Sequence, residues 1–94
     1  MKNTVVSRNL MEELVERSVD NCIAQAGACS CKRCRADICA LALNRLPPRY
    51  VVTDMGDIFE RVNAVSLQSQ ADIVFTIMQA IDTIQKEPRH DDGR

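Results

Sequence analysis

Residues 29–50 read CSCKRCRADICALALNRLPPRY. The stretch opens on four of the chain's five cysteines, runs into an almost unbroken apolar segment and stops on two prolines. The apolar body, Ala36 to Leu43, lacks a polar face, which marks a helix that packs on several sides. Its small residues Ala36, Ala40 and Ala42 permit close approach of neighbouring helices. The helix must end by Leu46, because Pro47-Pro48 removes two N–H donors and biases Leu46 away from helical geometry.

Upstream, Thr4 to Ala26 is predicted as one amphipathic helix. Leu10, Met11, Leu14, Val15, Val19, Cys22, Ile23 and Ala26 recur at steps of three and four, with Glu12, Glu13, Glu16, Arg17 and Asp20 opposite. Asn3, Thr4 and Ser7 are candidate N-caps, and Gly27 is the stop signal. Downstream, Arg49 to Thr53 is a short extended segment. Ile58 to Val65 fits either a helix or an extended strand. Ser66 caps a last helix with the stripe Ala71, Val74, Ile77, Met78, Ile81 and Ile84, widened by Ile73 and Phe75, and Pro88 closes it. Residues 88–94 read as a flexible polar tail.

Ninety-four residues make one domain, with an ordered core over about 4–87. With two Phe, one Tyr and no Trp, the core must come from aliphatic residues, which suits helix on helix. The expected class is all-α, three to four helices with a cysteine-rich zinc loop between the first two. A domain this small has a marginal core of its own. The broad third stripe exceeds what one neighbour covers, so a homodimer through the first and third helices is expected. The net charge of −1 disfavours nucleic acid as a partner. No apolar run approaches the roughly 18–20 residues of a membrane span, and no signal-peptide core is visible. A cytoplasmic protein is expected.

The cysteine spacing is C-x-C-x2-C-x4-C. Metal ligation, a redox dithiol and disulfides are the readings to weigh. An odd cysteine count in a reducing compartment argues against disulfides. Cys31-Lys32-Arg33-Cys34 resembles a redox C-x-x-C, but such motifs normally follow a strand, and none is predicted before it. Cys31 and Cys34 can face one tetrahedral ion, with Cys29 as third ligand. Lys32, Arg33 and Arg35 oppose the helix dipole in a first turn, which negative thiolates beside them would explain. Cys39 is the candidate fourth ligand, although it lies about 140° round the helix from Cys34. Asp37, His90, water or a partner-chain residue compete with it. Cys22 reads as core.

Cys29 to Ile38 running into Ala40-Leu41-Ala42-Leu43-Asn44-Arg45-Leu46-Pro47-Pro48-Arg49-Tyr50-Val51 resembles the late competence development protein family, ComFB. The first helix, with Met11 to Val15 and Asp20, is similar too. The likeness covers roughly residues 5 to 87 and is most specific over Asp37 to Tyr50. It implies a small all-helical homodimer that binds zinc through Cys29, Cys31 and Cys34. Cys39 matches no family cysteine. Other members lack the cysteines, so zinc would be a staple rather than the shared activity. Some members are receptors for cyclic di-GMP.

No catalytic set is visible: the one histidine is in the tail and the three glycines are isolated, so no enzyme is expected. Asn44, Arg45, Arg49 and Tyr50 around the proline turn are the candidate ligand-binding residues. Arginine forks suit phosphate or guanine, and Tyr50 could stack on a base. The expected function is a small regulatory or adaptor protein in competence or second-messenger signalling, with an unknown protein partner. It binds either a cyclic dinucleotide or, in the alternative, only protein.

Overall fold

The computed structural model describes residues 5–54 and 57–89. Strand β1 (Val5–Asn9) leads into helix α1 (Leu10–Ala26), then come helix α2 (Lys32–Arg45), strand β2 (Tyr50–Asp54), helix α3 (Ile58–Asn63) and helix α4 (Leu67–Lys86). The fold is mostly helical, four helices with one antiparallel two-stranded sheet. The expected all-α class is corrected by that sheet.

The sheet also corrects the first helix, which begins at Leu10 and not at Thr4. Val5 pairs with Asp54, Ser7 with Val52 and Asn9 with Tyr50. Val5, Val51, Val52 and Thr53 are β-branched residues that favour a pleated surface. This pairing, between segments some forty residues apart, overrides the helical reading of the N-terminal stretch. Asn9 becomes the N-cap: its Oδ1 accepts the Met11 N–H at 3.1 Å and the Arg49 N–H at 2.8 Å. The Leu10 N–H donates to the Arg49 carbonyl at 2.7 Å. Ser7 lies in β1, and Asn3 and Thr4 lie outside the described residues.

The core sits where α1, α2 and α4 meet. Val15, Val19, Ile38, Ala42, Ile77 and Ala80 are almost wholly buried there. The helical reading of Ile58 to Val65 holds, because Ile58, Val62 and Val65 all turn inward. Helix α2 is buried on one face and not all round: Cys34, Ile38 and Ala42 face the core, whereas Ala36 and Ala40 are exposed. On α4 the buried stripe is Ile73, Ile77, Ala80 and Ile81; Ala71, Val74 and Phe75 are exposed. So many of its residues are apolar that periodicity alone left the buried face under-determined. Ser66 caps α4 as expected, its Oγ accepting the Ser69 N–H at 3.2 Å.

Candidate metal centre

The loop between α1 and α2 is built by two helix ends. At the end of α1, Gly27 has φ +65°, with its N–H on the Ala24 carbonyl and the Ala28 N–H on the Ile23 carbonyl. These paired bonds are a Schellman stop, which requires a left-handed residue that glycine adopts without penalty. At the start of α2, Cys31 is the N-cap in extended geometry, and its Sγ accepts the Cys34 N–H at 3.4 Å. A cap bends the chain back over its own first turn. Cys31 and Cys34 are therefore brought together by the act of starting the helix. The Cys29 N–H donates to Gln85 Oε1 of α4 at 3.4 Å, which ties the loop to the far end of the chain.

The sulfurs of Cys29, Cys31 and Cys34 all lie within 4.8 Å of one another. Four donors at the usual zinc–sulfur distance of about 2.3 Å stand about 3.8 Å apart in a tetrahedron, so these three fit one ion with small rotations. Cys34 is buried, and Cys29 and Cys31 are half-buried. None of the five cysteines is in a disulfide. Without metal, burial pushes the Cys34 thiol up to about 12, helped by hydrogen bonding of its S–H to Cys31 and Cys29 and by their charge. A metal ion must therefore displace protons from the cluster, and its affinity rises with pH.

Cys39 is not brought into the group. It is half-buried and packs against the core, where burial raises its thiol above the ordinary value. Five positions beyond Cys34, it faces another side of α2, as helical rotation requires. Cys22 sits in the core with its thiol raised by burial.

The basic first turn of α2 has carboxylate partners. Arg35 bonds Asp20 at 2.8 Å and Glu16 at 3.0 Å, both on α1. Arg33 bonds Asp37 Oδ2 at 3.2 Å, and Arg89 bonds Asp37 Oδ1 at 3.1 Å. Arg35 clamps α2 to α1, Arg89 ties Asp37 to the segment after α4, and the Arg33–Asp37 pair lies within α2. Lys32 is exposed.

Asn44, Arg45, Arg49 and Tyr50 are all exposed. Arg45 borders a groove with Phe75, Met78 and Asp82 of α4. Arg49 borders a different groove of about 240 Å³ with Met11, Leu46, Pro47, Pro48 and Asp72. The backbone of Arg49 is committed to Asn9 and Leu10. Sequence reasoning missed Asn9 and Gln85. Asn9 had a signal, an Asx residue directly before Leu10 with Glu12 and Glu13 in the next turn. Gln85 had none, since its partner lies 56 positions away.

Comparison with known proteins agrees with the overall fold. The competence protein ComFB of Bacillus subtilis (strain 168) is 25% identical over 79 residues, which cover 84% of this chain and 78% of that one. A solved structure of the late competence protein ComFB from Bacillus subtilis superposes with a TM-score of 0.77 at 24% identity, covering 95% of this chain and 100% of that one. Residues 8–88 match the family described as late competence development protein ComFB, and the chain belongs to that family.

Proposed function

We propose that the chain is a non-catalytic, zinc-binding regulatory or adaptor protein of bacterial competence that works as a homodimer. The observation that carries the metal part is the convergence of three cysteine sulfurs at a helix start. Thiolate donors in this arrangement select zinc among the common divalent ions. Cys31 and Cys34 follow a helix and not a sheet strand, which favours a structural metal over dithiol redox chemistry. The metal staples the loop and the α4 end together, and the partner-binding surface lies elsewhere. Exposed Val74 and Phe75 on α4 support a second copy as the first partner. The outward side of α1, with Glu12, Glu16, Arg17 and Asp20, is charged and contributes less.

Metal analysis of purified protein tests this reading. About one zinc per chain is expected, released when the thiols are modified. Protein that neither retains zinc nor takes it up on reconstitution overturns it. Sedimentation at several concentrations tests the dimer, and Phe75→Glu is expected to give monomer with the helical signal intact.

A cyclic dinucleotide ligand at the proline turn is the second reading. It is favoured by Arg49 and Tyr50, both exposed, with Arg49 beside a groove floored by Leu46 and the two prolines. Calorimetric titration with cyclic di-GMP is the test. Binding that weakens in Arg49→Ala and Tyr50→Ala supports it; no heat up to tens of micromolar, roughly 6 kcal/mol of affinity, leaves protein binding alone.

A further inference from the structure

His90, the distant candidate donor to the metal loop, lies outside the described residues. The described part of the molecule holds a second feature, a cavity of about 290 Å³ between α1, α3 and α4. None of the cysteines and neither proline borders it. Its apolar wall is wholly aliphatic: Leu14, Val62, Ile73 and Val74. Arg17 stands at its rim, and Arg17 Nη1 donates to Asn63 Oδ1 at 2.8 Å, across 46 positions of sequence. That bond uses one corner of the guanidinium. It leaves the Nε–Nη2 edge, which can grip a carboxylate through two parallel bonds. Among the described residues no carboxylate pairs with Arg17. Glu13 and Asp20, one turn to either side of it on α1, are held by Arg8 and Arg35. Ser18, also lining the cavity, is half-buried, and its hydroxyl has no partner among the described residues.

The lining selects a ligand class. It offers no aromatic ring on which a base could stack, and one cation balances a monoanion better than a phosphate dianion. At about 30 Å³ for each water-sized group, the cavity holds about ten heavy atoms. We propose that it binds a small aliphatic monocarboxylate. Arg17 Nε and Nη2 take the carboxylate, Ser18 Oγ donates to it, and the chain lies against Leu14, Val62, Ile73 and Val74. Asn63 is a positioning residue. The inference rests on neither the zinc nor the dimer reading; Phe75, which tests the dimer, borders a different groove.

Amide NMR titration of the full chain with acetate, hexanoate and 1-hexanol tests it. Hexanoate should shift Leu14, Ser18, Val62 and Asn63 saturably and bind about tenfold more tightly than hexanol, as a hydrogen-bonded charge allows. From acetate to hexanoate, affinity should rise by up to about fourfold per buried methylene. Arg17→Gln should reduce hexanoate to the level of hexanol. Asn63→Ala should weaken hexanoate yet keep its advantage over hexanol. Arg61→Gln removes the same charge from α3 away from the cavity and should change nothing. The inference is overturned by any of three results: no saturable shift up to about 10 mM hexanoate, no dependence on chain length, or an equal loss in Arg61→Gln and Arg17→Gln.

Discussion

At the scale of single residues, Gly27 and the Asp20–Arg35 pair make separable predictions. A Cβ at Gly27 would meet nothing within 4 Å, so Gly27→Ala adds no clash and only the cost of φ +65°. That conformation costs a non-glycine residue about 1–2 kcal/mol, and urea unfolding of the variant should show a loss of that size. The Asp20 carboxyl is held below its ordinary value of 3.8, chiefly by its hydrogen bond to Arg35. A carboxyl lowered in the folded state adds stability above its unfolded value, and that stability is lost as pH falls through the folded one. An NMR titration should find Asp20 among the lowest carboxyls, and Arg35→Ala should return it towards 3.8. The pair is exposed, so its effect on stability is small. The cysteine spacing made Cys29, Cys31 and Cys34 legible as a group, because a cap and a first turn fix their separation locally. The partners of Arg35 were not legible, because Glu16 and Asp20 lie on another helix, which no local pattern reports.

At the scale of elements, the start of α1 depends on one side chain. Asn9 Oδ1 serves both the α1 N-terminus and the entry to β2. Asn9→Ala should therefore cost about 1–2 kcal/mol in chemical denaturation, the upper part of the range for a lost cap. Asn9→Asp, which keeps an acceptor, should recover most of it. Three other helix boundaries were legible for the same reason that Asn9 is strong: Gly27 ends α1, Pro47-Pro48 ends α2 and Ser66 begins α4, each through backbone chemistry. Strand β1 was not legible as a strand. Val5 and its neighbours suit either state, and the choice falls to a partner strand on the far side of two helices. The buried face of α4 was blurred because Ile73, Val74, Phe75, Ile77 and Met78 offer more than one apolar stripe. Only packing on α1 and α2 selects among them.

At the scale of the whole molecule, Cys29 ties the loop between α1 and α2 to Gln85 of α4, and Arg35 ties the start of α2 to α1. A metal held there adds its binding free energy to folding, because the unfolded chain does not preform the site. At free zinc one hundredfold above its dissociation constant that is about 2.7 kcal/mol, or a rise of about 10–20 °C in melting temperature for a domain of this size. Thermal melts with and without a chelator should show this rise, and Cys34→Ser should abolish the difference. No described helix is long and apolar enough to cross a membrane.

The two strands lie on either side of α1 and α2 in the sequence. During synthesis, β1 leaves the ribosome first and finds no mate until residues 50–54 have followed it out. The residues of α1 and α2 lie between the two strands, so the sheet cannot close until both helices have been synthesised. The sheet is thus a clasp that can shut only once both helices have been made. A chain stalled before Tyr50 would carry Val5, Ser7 and their neighbours with no strand to pair with.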